Sequence, residues 1–169
     1  TSLPLSCWVS VSKVGAAVGC LRAAPLMILV GGTNGKGTTS ALIAALLRQR
    51  GLRVGVYSSP HILRYNERVS IDGVDISDAD LCATFARIEA ARGDTTLTYF
   101  EFGTLAALIY FQQQGVDACV MEIGLGGRLD AVNIAAADIS VVWIISLGWV
   151  IRSQKSLMKS AVSLAKTVF

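Results

Sequence analysis

The sequence predicts an α/β fold, a parallel sheet with flanking helices in a single domain. Three observations predict it. The unbroken apolar run at 26–30 and the largely apolar runs at 119–123 and 139–145 have the pattern of strands buried on both faces. These runs alternate with segments at helical spacing, and strands that alternate with helices build a right-handed parallel sheet. Hydrophobic residues make up 53% of the 169 positions and charged residues 16%, which excludes disorder and suits a sheet covered on both sides.

The elements follow in order. Residues 1–9 show no period. Val11, Val14, Val18 and Leu21 stand at helical spacing, so 10–21 reads as a short helix, and Pro25 closes the turn after it. The strand 26–30 runs straight into a glycine-rich segment at 31–37. Residues 38–50, rich in Ala and Leu, form a helix that stops at Gly51. A second strand is expected at 53–57 and a loop at 58–67. Residues 69–71 and 74–76 flank Asp72-Gly73, the signal of a hairpin. Ser77 caps a helix over 78–92, with Asp78 and Asp80 in its first turn and Gly93 at its end. A long helix covers 98–114 and turns Phe102, Leu105, Ala106 and Ile109 inward. The strand 119–123 ends in Gly124-Leu125-Gly126-Gly127, and 139–145 is the last strand. No repeat and no linker divides the chain.

Composition narrows the function classes. The net charge of +3 comes without a Lys/Arg block, which argues against nucleic acid. Cys7, Cys20, Cys82 and Cys119 show no CxxC spacing and His61 is the only histidine, which argues against zinc. Scattered thiols suit the cytosol. The chain starts at Thr1 without a basic leader, and its most apolar stretch, 139–151, is shorter than the roughly 20 residues of a spanning helix. A cytoplasmic monomer that engages neither membrane nor nucleic acid is expected.

The chemistry points to the segment after the first strand. A strand, a glycine-rich turn and a helix in that order form a phosphate-binding loop. The glycines let the backbone wrap phosphate oxygens, and the helix start adds its positive end. Gly32, Thr33, Asn34, Gly35, Lys36, Gly37, Thr38 and Thr39 are the candidate nucleotide contacts. Lys36 would sit on the β- and γ-phosphates of ATP, and Thr38 would offer a hydroxyl to Mg²⁺. The usual pattern is G-x-x-x-x-G-K-[ST]. Here Val30 takes the place of the first glycine, and Gly37 separates Lys36 from Thr38. The alternative is a tight turn with a solvent-facing lysine.

Four blocks then carry a resemblance. They are Val30-Gly31-Gly32-Thr33-Asn34-Gly35-Lys36-Gly37-Thr38; Tyr57-Ser58-Ser59-Pro60-His61 with Arg64-Tyr65-Asn66-Glu67-Arg68; Thr98-Tyr99-Phe100-Glu101-Phe102; and Met121-Glu122-Ile123-Gly124-Leu125-Gly126-Gly127-Arg128-Leu129-Asp130-Ala131-Val132-Asn133. Over about residues 10–142 the chain resembles the folylpolyglutamate synthases, including bifunctional dihydrofolate synthases, of the Mur ligase superfamily. The resemblance implies a phosphate-loop Mur-type ATP-binding domain. It also implies a ligase that turns a carboxylate into an acyl phosphate with ATP and joins it to L-glutamate, using dihydropteroate or folate and two Mg²⁺ ions.

By position, the resemblance makes Lys36 and Glu122 catalytic and Thr38, Ser59 and Glu122 metal ligands. It places Ser58, Ser59, Pro60, His61, Phe100, Arg128, Leu129, Asp130 and Ala131 at the pterin. Plain alternatives stand beside these roles. Ser59 could be a turn residue, His61 a loop hydrogen-bonder, Phe100 a core side chain, and Arg128 and Asp130 an ion pair. Glu122 resists such a reading, because an unpaired carboxylate ending an apolar strand costs several kcal/mol, roughly.

The resemblance fails at both ends. Gly148 and Trp149 stand where it calls for Asp and a metal-binding His, and 143–169 diverges. Lys155, Lys159 and Lys166 lie in no recognisable context, and residues 1–9 do not match. The expectation is an incomplete, catalytically impaired ligase domain. A nucleotide-binding fragment without activity and a Mur-type cell-wall ligase fragment are the alternatives. A switch GTPase lacks its Asn-Lys-x-Asp motif.

Overall fold

The apolar run Leu26–Gly32 is β1, the inner strand on which the sheet is assembled. It pairs in parallel on one side with β5 (Ala118–Glu122) and on the other with β6 (Ile139–Ile144). In the computed structural model, which describes residues 5–125, 127–144 and 148–153, β2 (Val54–Tyr57) continues the parallel set beyond β5. The hairpin expected around Asp72-Gly73 forms from β3 (Val69–Ile71) and β4 (Val74–Asp75), with β3 antiparallel to β2. Asp72 and Gly73 both take positive φ there. A seventh strand, β7 (Gly148–Ser153), pairs antiparallel with β6 and gives the order β4-β3-β2-β5-β1-β6-β7.

The sheet is therefore mixed, built around the expected parallel strands. Its four inner strands are parallel and both edges are antiparallel. Sequence reading ended the last strand at residue 145 and expected no strand after it. The structure instead places Gly148 opposite Ile144 and Trp149 opposite Trp143. The physical reason is the bare flank of β6, whose unpaired backbone groups a following strand can satisfy. Residues 145–147, Gly126, 1–4 and the tail 154–169 with its three lysines lie outside the described residues.

Helices cover the two faces unequally. On one face, α1 (Leu5–Val18), α3 (Asp78–Arg92) and α4 (Tyr99–Gln114) close over Met27, Leu29, Cys119 and Met121. On the other, α2 (Lys36–Gln49) lies over Ile28, Val30, Val54, Val120 and Val141. Ser77 caps α3 as expected, and α4 carries a cap of its own. The Ser77 hydroxyl accepts from the Asp80 N–H, and Thr98 and Glu101 form a reciprocal capping box. Two helix starts shifted. α1 begins at Leu5 rather than near 10, and α2 begins at Lys36 rather than 38. Phe102, expected to turn inward, is half-buried against Phe85, whereas Leu105, Ala106 and Ile109 are buried as expected. Among the described residues, no helix is long and apolar enough to cross a membrane.

Candidate active site

Neighbouring strands β1 and β5 send their chains to opposite faces of the sheet. After β1 the chain enters α2 and passes β5 to reach β2. After β5 it runs through short turns at Gly127–Leu129 and Ala131–Ile134, on the other face, to β6. A crevice opens outside the carboxyl ends of strands at such a reversal. Three loops meet there: 33–35 after β1, 58–64 after β2 and 123–130 after β5.

The first loop turns on glycines with positive φ, Gly32 at 145° and Gly35 at 73°. Gly35 is the N-cap of α2 in the left-handed region, with no side-chain cap, and the first turn holds no acidic residue. The first-turn N–H groups and the helix dipole thus face the crevice without a capping carboxylate. The Lys36 ammonium donates to the Gly32 carbonyl at 3.1 Å, folding back over the loop. Thr38 is exposed. Thr39 is buried, and its N–H and hydroxyl both donate to the Gly35 carbonyl. Both polar hydrogens of Thr39 are therefore directed to the helix start.

Glu122 ends β5 opposite Val30, the last apolar residue before the glycines. It shares the α2 face with Val120 and is only 3% exposed. Its Oε2 is buried without a hydrogen-bond partner and lies 3.8 Å from where a side chain at Gly37 would begin. Burial pushes the carboxyl above the usual carboxylate range, while the Ser59 backbone N–H and the Lys36 ammonium pull it back. An orphaned carboxylate oxygen at the start of a helix fits a divalent cation, which would neutralise it. Glu122 and Ser59 converge there, and Thr38 stands on the adjoining first turn. Among the described residues, no group of three or more His, Cys, Asp or Glu could hold a metal ion by itself.

The second loop passes through a cis Ser59–Pro60 bond and is fastened along its length. The Ser58 N–H donates to the Arg68 carbonyl at 2.9 Å, and His61 Nδ1 accepts from Arg68 Nε at 2.9 Å. Ser58, Ser59 and His61 are half-buried and Pro60 is exposed.

The third loop is organised by Asp130. Its carboxylate accepts from the N–H groups of Leu125 and Val132, each at 2.9 Å. Burial raises its pKa, against the Val132, Leu125 and Gly124 N–H groups and the Lys36 ammonium. Lys36 thus acts on both buried carboxylates. Phe100 is half-buried across Gly124, where a Cβ would meet its ring at 2.8 Å, and sits 6.0 Å from the Tyr57 ring. Ala131 is buried and Leu129 half-buried beside this loop. The Arg128 side chain lies outside what is described, so its expected pairing with Asp130 does too.

Sequence reasoning assigned no role to Tyr57, Glu67, Arg68 or Gly103, which shape the same crevice. The hydroxyls of Tyr57 and Tyr65 both reach Gly103, and Thr104 bonds Tyr57 at 3.5 Å. These partners come from separate elements, and no local pattern signals such contacts.

The fold and the site define a Mur-ligase-like α/β domain with a glycine loop and a buried glutamate at the sheet's switch point. No family model matches the chain. It is homologous over about four fifths of its length to the dihydrofolate synthase/folylpolyglutamate synthases. It is 53% identical over 137 residues to that protein of Escherichia coli K12, covering 81% of this chain and 32% of the relative. Escherichia coli FolC in complex with DHPP and ADP superposes with a TM-score of 0.78 at 53% identity, covering 79% of this chain and 32% of that one. The bifunctional enzyme of Yersinia pestis complexed with AMPPNP and Mn ion gives 0.78 at 52% identity, covering 85% and 34%. The chain spans about a third of the length of the first curated relatives it matches.

Proposed function

We propose that this domain is the phosphate-loop part of an ATP-dependent ligase that adds L-glutamate to dihydropteroate or a folate through an acyl phosphate. The observation that carries the reading is the orphaned Glu122 carboxylate beside Lys36 and the uncapped start of α2. The named relatives support it with their names as dihydrofolate and folylpolyglutamate synthases and their ADP, AMPPNP and Mn complexes.

In this reading the first-turn N–H groups of α2 and the Lys36 ammonium bind the ATP phosphates and orient the γ-phosphoryl group. Thr38, Ser59 and Glu122 would hold a divalent cation. When bound, that cation neutralises phosphate charge. Ser58, Pro60 and His61 with Phe100, Arg128, Leu129, Asp130 and Ala131 form the pterin side, where Phe100 stacks and the Asp130-folded loop shapes the wall. The substrate carboxylate would lie between the two halves, where one of its oxygens takes the γ-phosphoryl group with release of ADP and its carbon is then attacked by the glutamate amine with release of phosphate. Expected partners are small molecules only, and the expected state is a monomer in the cytoplasm. Three free thiols among the described residues, Cys20, Cys82 and Cys119, agree with that compartment.

The chain alone is not expected to complete the reaction. Gly148 and Trp149 occupy the positions where the resemblance calls for Asp and a metal-binding His, and they open an antiparallel strand instead. The test is calorimetric titration with Mg-ATP. The unmutated chain binds, and Lys36→Ala binds at least about tenfold more weakly, as loss of a charge-assisted contact requires. Equal affinity would sink the loop assignment. Glutamate-dependent ADP release from the pure chain would overturn the expectation of no turnover.

A further inference from the structure

Arg68 gathers contacts from four parts of the chain. It ends the turn Tyr65–Arg68, and its carbonyl accepts from the Ser58 N–H. Its Nε donates to His61 Nδ1 at 2.9 Å. Its guanidinium carbon lies 5.4 Å from the Tyr65 ring centroid and 5.9 Å from that of Tyr99, at the start of α4. It also sits close enough to the Tyr57 hydroxyl, at the end of β2, to lower that group's pKa against the larger effect of burial. The ion pairs found among the described residues join Arg22 to Asp138, Arg64 to Asp78 and Arg92 to Glu89, and Arg68 is in none of them. Its charge is therefore balanced by ring faces and directed hydrogen bonds.

We propose that Arg68 is the positioning residue of the 58–61 segment: it clamps that segment to β2 and α4 and fixes which ring nitrogen of His61 accepts a hydrogen bond. A guanidinium only donates, so a ring nitrogen 2.9 Å from it is an acceptor. The neutral imidazole then carries its proton on Nε2, which makes the free edge of His61 a hydrogen-bond donor. Lysine is a poor substitute, because it lacks both the Nε–H in the fixed geometry of the guanidinium and the delocalised charge that reaches the Tyr65 and Tyr99 rings at once. The consequence for ligand binding rests on the pterin role proposed above for this segment; the clamp itself does not.

The test begins with the unmutated chain. His61 is its only histidine, so its imidazole nitrogens can be read without assignment ambiguity. Nitrogen-15 spectra at neutral pH should show Nδ1 unprotonated and Nε2 protonated; the opposite tautomer, or an even mixture, overturns the proposal. Arg68→Lys should shift the Nδ1 resonance as that hydrogen bond is lost, and bind dihydropteroate about tenfold more weakly while keeping its Mg-ATP affinity. An Arg68→Lys chain that keeps both the Nδ1 resonance and the wild-type dihydropteroate affinity also overturns it. If the unmutated chain binds no dihydropteroate at all, the proposed function fails, and the imidazole spectrum still decides the role of Arg68.

Discussion

Two glutamates show how different one side chain can be in one site. Glu67 is saturated. Its carboxylate accepts from three consecutive N–H groups, those of Ile62, Leu63 and Arg64, at 2.7, 2.9 and 2.7 Å. Those bonds, with that of Ile62 the strongest, lower its pKa below the ordinary 4.5. A depressed carboxylate contributes its stabilisation above the unfolded pKa and loses it as pH falls through the folded one. Amide-exchange protection at residues 62–64 should therefore be full above pH 4.5 and fall below it, while β1 amides stay protected. Glu67→Gln should show weak protection across the whole range. A pH-independent loop in the unmutated chain would contradict this. Glu122 is the opposite case, buried with an oxygen left over. It was legible in the sequence because a charge closing an apolar run has no other ready explanation. Glu67 was not, since its partners are backbone groups that any residues at 62–64 would supply.

At the scale of elements, legibility followed the range of the forces that set each boundary. Caps and turns are local, and Ser77, Thr98 and Asp72-Gly73 each did in the structure what their sequence context required. The seat of α4 against β2 is not local. A Cβ at Gly55 would sit 2.6 Å from Phe111 Cδ1, so the glycine is what lets the buried ring lie on the strand. Nothing in the order of residues 53–57 announces a ring contributed from position 111. Gly55→Ala should push the ring or the helix outward and destabilise the domain by about 1–3 kcal/mol, measured by urea unfolding. A loss under about 0.5 kcal/mol, within the range of a neutral surface change, would show that α4 can adjust freely. β7 was missed for the same reason of range. Trp149, Val150 and Ile151 suit a strand, but no turn dipeptide precedes them, and the flank of β6 that recruits them exists only once the sheet has formed.

The whole molecule places stability and binding in opposition at one residue. Its larger core lies under α1, α3 and α4, and the smaller one under α2, whose first turn meets Glu122. An ionised glutamate that is 3% exposed and lacks a partner for one oxygen weakens the ligand-free fold. A site that retains such a group gives up stability for binding. Glu122→Gln should then raise the melting temperature of the ligand-free chain, because the amide carries no charge to desolvate. The same substitution should remove the magnesium-dependent part of the stabilisation by nucleotide. At a hundred times the dissociation constant, Mg-ATP stabilises a one-site protein by about 2.7 kcal/mol, a rise of roughly 5–11 °C for a chain of this size. In the variant, ATP with and without magnesium should give the same, smaller shift. A Glu122→Gln chain that melts lower than the unmutated one, yet keeps the full magnesium-dependent rise, would place the carboxylate in the fold rather than at the cation.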